Sequence, residues 1–173
     1  SSGPVTSGVA VVRISGPDSS KVLKLLTKRE LPAPRVATLR KINNINTFEL
    51  IDEGLILWFP GPQSYTGEDM VEIHIHGGKA VVEALLNTLS DVKSCRLADP
   101  GEFTKLAFQN RKISLLKAES IGDLISAETE IQRSQAIKIM NGKSSERFNQ
   151  LREKLLKILS FVEAKIDFPE EDL

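Results

Sequence analysis

The sequence is poor in the residues that build staples and metal sites: one cysteine and two histidines, with a single tryptophan and a single tyrosine. One thiol, Cys95, excludes a disulfide framework and a cysteine-based zinc site within one chain. There is no excess of charge, because 23 Lys and Arg balance 23 Asp and Glu. That neutrality speaks against a generally basic nucleic-acid binder, whose affinity comes largely from phosphate neutralisation. It leaves room for a local basic patch. Long apolar runs are missing too: LILWF at 55–59 stops far short of the ~20 residues that a membrane span needs. The first residues, SSGPVT, show neither a signal-peptide pattern nor an initiator Met, which points to a trimmed native N-terminus.

What is present suits one domain, or one domain with a helical appendage, in 173 residues. The chain is long enough to bury a core without staples. Up to about residue 111, short β-branched runs alternate with helix-like runs; beyond it the pattern is helical. Strands are expected at 9–14, 36–42, 54–59, 70–76 and 94–97. Helices are expected at 18–26, 79–89 and 102–110, the first and last opened by Pro-containing turns. The order β-α-β-β-β-α-β-α suggests an α+β domain with a mixed sheet and two crossovers. Next, a helix at 118–140 should end at Asn141-Gly142. A second helix carries Phe148, Leu151, Leu155, Ile158, Val162 and Ile166, a stripe that reads as bundle core or coiled coil. Basic residues outnumber acidic ones across this helical part. The acidic stretch 167–173 reads as a linker.

The fourth strand is the most informative. Period-two alternation puts Val71, Ile73 and Ile75 on one face and Glu72, His74 and His76 on the other. Three titratable groups in a row fit a solvated face, an organic-ligand site, or a metal site of imidazole and carboxylate. Gly77-Gly78 opens a helix whose free N–H groups suit an anion, although a strand-to-helix turn needs glycine for shape alone. A phosphate loop is excluded: Gly142-Lys143-Ser144 has Ile137 where the first glycine belongs, and Gly78-Lys79 is followed by Ala80. No serine lies in a G-x-S-x-G context, and Cys95 reads as a small buried hydrophobe. Arg13, closing an apolar strand, must reach an edge, a carboxylate or a ligand. Lys112, by composition, reads as a surface lysine.

These residues also match a family. WFPGPQSYTGED at 58–69 is similar to the W-F-P-G-P-x-S-F-T-G-E-D run of the MnmE (TrmE) tRNA-modification GTPases, with Tyr65 where Phe is usual. GVAVVRISG at 8–16, EIHIHGG at 72–78, PGEF at 100–103, AESIGDLISA at 118–127 and IDFPEED at 166–172 agree in the same order. The resemblance implies a dimerising domain at 1–111 similar to the folate-binding domain of the glycine-cleavage T protein. The first part of a helical domain follows at 112–166, with a linker at 167–173 toward a Ras-like GTPase domain that should begin about where the chain stops. It implies a 5-formyl- or 5,10-methylene-tetrahydrofolate cofactor held by Arg13, Glu72 and Lys112, with no catalytic residue assigned. A carboxylate such as Glu72 could accept the adjacent N–H donors of a pterin, and such pairs are strong. Arg111 and Ser114 depart from the residues usual beside Lys112. GTP, Mg2+ and K+ would act in the full-length protein, and this portion is not expected to hydrolyse GTP. The implied partners are a second copy, an FAD-dependent MnmG-type protein and tRNA, modified at C5 of the wobble uridine. HIHGGKAVV at 74–82 and ETEIQR at 128–133 look like the mitochondrial members. A stand-alone folate-dependent methyltransferase and a dimerisation module with an inert pocket are the alternatives.

Overall fold

The computed structural model describes residues 7–167, apart from the side chains of 143–145. The expected linker at 167–173 therefore lies almost wholly outside the described residues. Two compact units divide the chain, Ser1–Lys112 and Ile113–Leu173.

The first unit runs β1 (Ser7–Ser15), α1 (Ser19–Thr27), β2 (Thr38–Asn43), β3 (Leu50–Phe59), β4 (Met70–Gly77), α2 (Lys79–Ser90) and α3 (Glu102–Gln109). The strands lie in the order β1-β4-β3-β2, and every neighbouring pair is antiparallel. The α+β class holds, but the sheet is not mixed. The chain returns after α1 to a strand that runs against β1, so neither strand–helix–strand segment makes a parallel crossover.

Alternation decides which face is covered. Val71, Ile73 and Ile75 of β4 pair with Ile14, Val12 and Ala10 of β1, while Val71 and Ile73 also face Trp58 and Ile56 of β3. These side chains form one apolar surface, buried under Val22, Leu23 and Leu26 of α1 and Leu85 and Leu89 of α2. Each fully buried aliphatic side chain contributes about 1.5–3 kcal/mol. Gly54 on β3 leaves no room for a side chain: a Cβ there would stand 2.2 Å from the His74 carbonyl oxygen.

The expected fifth strand at 94–97 is not formed. The Cys95 N–H donates to the Val92 carbonyl at 2.8 Å, a turn rather than a ladder. Arg96 then grips the Glu102 carboxylate with both terminal nitrogens, Nη1 at 2.9 Å from Oε2 and Nη2 on Oε1. The Asp99 N–H donates to the same carboxylate at 2.8 Å. Local side-chain bonds thus take up this backbone and start α3.

The second unit holds α4 (Leu115–Ser126), α5 (Glu130–Met140) and α6 (Lys143–Asp167). The single helix expected over 118–140 is two. Thr129 caps α5 in a capping box: its hydroxyl accepts the Gln132 N–H, and Gln132 Oε1 accepts the Thr129 N–H. Such a reciprocal cap satisfies two donors that otherwise have no partner, and it starts a new helix against the run of helix formers. Gly142, at φ +88°, separates α5 from α6 as the Asn141-Gly142 pair suggested. The α6 stripe is not a core position here: Phe148, Leu155 and Ile166 are 61%, 57% and 70% exposed. Among the described residues no helix is long and apolar enough to cross a membrane.

The hydrogen bond from Arg96, helped by the Asp99 N–H, holds the Glu102 carboxyl down at about 2, against an ordinary 4.5. A carboxylate depressed in the folded state contributes stability above its ordinary value and loses that contribution as pH falls toward the folded one. Glu102→Gln is therefore expected to lower the urea midpoint at neutral pH. The gap to the unaltered protein should close between about pH 4.5 and about pH 2. A gap that stays constant across that window would refute the assignment.

Candidate functional site

The face of the sheet away from α1 and α2 carries the polar groups of β4. Antiparallel register sets Arg13 of β1 directly opposite Glu72 of β4. The guanidinium donates to one carboxylate oxygen twice, Nε at 2.9 Å and Nη2 at 2.5 Å from Oε1. Glu72 is the more buried partner, its side chain 18% exposed against 40% for Arg13. Its other oxygen, Oε2, lies 3.8 Å from His74 Nε2 and accepts no hydrogen bond among the described residues. His76, further along the same face, is engaged elsewhere: Nδ1 lies 2.9 Å from Asp52 Oδ1, and the His76 backbone N–H donates to Asp52 Oδ2 at 2.8 Å. Burial pushes the Asp52 carboxyl up, yet the His76 and Glu53 hydrogen bonds outweigh it and hold it below the usual range. Among the described residues no three His, Cys, Asp or Glu side chains converge as a metal-ligand set.

The loop between β3 and β4 frames the pair. Gly61 donates its N–H to Asp69 Oδ1 at 2.9 Å, and Gly67 donates its N–H to Ser64 Oγ at 2.9 Å. The buried Thr66 hydroxyl lies 2.6 Å from Ser15 Oγ at the end of β1, tying the loop to the sheet. Tyr65, held by a 2.9 Å contact with Thr104 Oγ1 of α3, presents its ring 5.8 Å from the Arg13 guanidinium carbon. Phe103 of α3 lies at the same distance. The cation is therefore bracketed by two rings.

Lys112 reaches this loop from the end of α3. The Arg111 N–H donates to the Phe108 carbonyl and the Lys112 N–H to the Ala107 carbonyl, the bond pair of a Schellman motif. Lys112 Nζ then donates to the Pro62 carbonyl at 2.7 Å, and Asn110 Nδ2 donates to the Thr66 carbonyl at 2.7 Å. Gly67, at φ +85°, must be glycine here: a Cβ would press the Asn110 Cβ at 3.2 Å. Arg13 and Glu72 are thus brought into direct contact. Lys112 joins them only through the loop and is bonded to neither.

Tyr65, Phe103 and Asn110 were not singled out by residue type. Tyr65 and Phe103 lie within the WFPGPQSYTGED and PGEF stretches, so those motifs were the available signal. A cavity of about 390 Å3 reaches Arg13 and Phe103, but it opens on the helix-covered side, among Val12, Ile14, Val22 and Leu89, and neither Glu72 nor Lys112 lines it. Cys95 is only half-buried, and burial, with the Asp18 carboxylate nearby, pushes its thiol up.

An antiparallel sheet backed by two helices, an ion pair near two aromatic rings on its other face, and a separate helical unit define an α+β domain followed by an all-helical one. The family described as GTP-binding protein TrmE N-terminus matches residues 1–112, and that described as MnmE helical domain matches residues 115–173. The chain belongs to the MnmE (TrmE) family. It is 76% identical over 173 residues to a "tRNA modification GTPase MnmE" of Pelagibacter ubique, covering 100% of this chain and 39% of that protein. It is 52% identical over 166 residues to the protein of that name in Rickettsia prowazekii, covering 96% and 37%. It is 49% identical over 173 residues to "5-taurinomethyluridine-[tRNA] synthase subunit GTPB3, mitochondrial" of Homo sapiens, covering 99% and 35%. The chain thus spans under two fifths of the length of these relatives. Bacterial and mitochondrial relatives both match, so likeness does not single out a compartment.

The Schellman geometry sets the cost of one departure from the family pattern. Arg111 occupies the position after the helix cap at φ +57°, the left-handed conformation that glycine adopts freely. Holding a side chain there costs roughly 1–2 kcal/mol, partly offset by the extra freedom that glycine has when unfolded. Arg111→Gly is expected to raise stability by about 0.5–1 kcal/mol in urea unfolding. A loss of stability would show that the Arg111 side chain carries an interaction of its own.

Proposed function

We propose that the chain binds a tetrahydrofolate one-carbon donor, 5-formyl- or 5,10-methylene-tetrahydrofolate, at Arg13, Glu72 and Lys112. It does so as the N-terminal part of a GTPase that modifies C5 of the tRNA wobble uridine with an FAD-dependent MnmG-type partner. The observation that carries this reading is the Glu72 carboxylate. One oxygen is saturated by Arg13, while the other has no hydrogen bond among the described residues. That oxygen suits adjacent N–H donors of a flat heterocycle. Tyr65 and Phe103 flank the Arg13 guanidinium that holds this carboxylate. Such a folate, when bound, supplies the one-carbon unit. The residues here bind and orient it: Glu72 accepts donors, Arg13 holds Glu72, and Lys112 offers a cation where the loop approaches the site. Support for the tRNA role is the name of the relatives and the family match over both units.

Calorimetric titration with 5-formyltetrahydrofolate tests this. Glu72→Ala and Arg13→Ala are each expected to weaken binding at least ~10-fold, the scale of a charge-assisted hydrogen bond. Lys112→Ala should weaken it less. Absence of binding by a folded, dimeric protein would favour the inert module. One-carbon transfer by the purified chain alone would favour the stand-alone methyltransferase.

The same face supports dimerisation. The free face of an antiparallel sheet is commonly polar, yet here Leu39 and Leu55 form a cross-strand pair that is 59% and 43% exposed. Val11 and Leu57 lie on the same face, opposite His74 and Glu72 respectively. Exposed apolar side chains gathered on one sheet face mark an interface, and we assign this face to a second copy. Leu55→Asp is expected to convert a dimer to a folded monomer in light scattering. A monomeric unaltered protein, or a variant that stays dimeric, would overturn this.

A further inference from the structure

We propose that His74 is the positioning residue of the Glu72 carboxylate, flanking the oxygen that Arg13 leaves free and so fixing the plane in which Glu72 meets its ligand. The identity of the ligand rests on the folate reading above; the contact between His74 and Glu72 does not. Arg13 places both of its donors on Oε1. A carboxylate held at one oxygen can still swing, so its orientation must be set from the other side. His74 stands two residues along β4 on the same face, with Nε2 3.8 Å from Oε2.

That nitrogen is shielded from water and has no hydrogen-bond partner among the described residues. Buried polar atoms without a partner are uncommon, and each calls for a reason. Its cross-strand neighbours are Val11 and Leu55, whose side chains offer neither donor nor acceptor. The Glu72 carboxylate lies 3.8 Å away, and closing by about 1 Å would make a normal hydrogen bond. His76 supplies the contrast, since its ring is already engaged by Asp52 through Nδ1. With the proton on Nε2, the His74 ring donates to Oε2 while Arg13 donates to Oε1. Oε2 then keeps one lone pair for an N–H of the ligand.

Two readouts on the purified protein test the proposal, and with only two histidines the imidazole resonances are readily told apart. Glu72→Gln is expected to move the 15N resonance of His74 Nε2 and leave that of His76 in place. In calorimetry with 5-formyltetrahydrofolate, His74→Leu should weaken binding about 5–10-fold, and His74→Gln, whose amide N–H reaches toward Oε2, should recover all but about twofold. Equal losses in the Leu and Gln variants, a His74 resonance indifferent to Glu72→Gln, or full affinity in His74→Leu would each overturn it. Should the unaltered protein bind no folate, the ligand reading falls, while the resonance comparison still decides the His74–Glu72 contact.

Discussion

The register of β4 between β1 and β3 governs the rest of the molecule. It sets Arg13 opposite Glu72, and it sets Ile73 between Val12 and Ile56 in the core. Both consequences follow from one pairing. Because side chains alternate with period two, a slip of one residue would bury Glu72 and His74 under the helices and expose Ile73 and Ile75. Burying an unpaired carboxylate is far costlier than leaving it partly exposed and bonded to a guanidinium. The apolar core and the polar site therefore enforce the same register from opposite faces.

The second constraint is the loop at 60–69, which carries little hydrophobic driving force of its own and is held by hydrogen bonds. Ser64, Thr66 and Asp69 bond back to loop backbone, while Asn110 and Lys112 bond to its carbonyls from the end of α3. Segments far apart in sequence thereby converge on Arg13. Lys112 is placed by backbone geometry at a helix terminus, so its position depends on the Arg111 conformation rather than on packing.

Alternation made much of this legible. The faces of β4 could be read from the residues, and so could the ends of α1, α2 and α3. What could not be read was decided by local side-chain bonds or by pairing partners. Strand direction is invisible in a run such as 36–42, whose neighbour is chosen by tertiary pairing, and so the sheet was expected to be mixed. Residues 94–97 have strand-like composition, yet Arg96 and Glu102 draw the segment into a turn and cap. The break before Thr129 hides inside a run of good helix formers, where only the spacing to Gln132 marks a cap. Composition ranked Lys112 as a surface residue, and it is exposed; no residue pattern marked its bond to the Pro62 carbonyl. Tyr65 and Phe103 lay within the quoted motifs, but nothing in residue type marked them as neighbours of Arg13.

The apolar patch and the ion pair share one sheet face, and this couples the two proposals. A second copy seated over Leu39 and Leu55 would take water away from a face that also holds Glu72 and His74. Lower local dielectric strengthens a hydrogen-bonded ion pair and raises the cost of an unbonded donor or acceptor. The free oxygen of Glu72 and the unpartnered nitrogen of His74 would then gain most from a ligand in the dimer. Binding linkage is reciprocal: a ligand that prefers the dimer must also tighten it by the same factor. Zero net charge is consistent with that arrangement, because two identical copies of a neutral chain meet without long-range repulsion, and the close contacts on the sheet face decide the association.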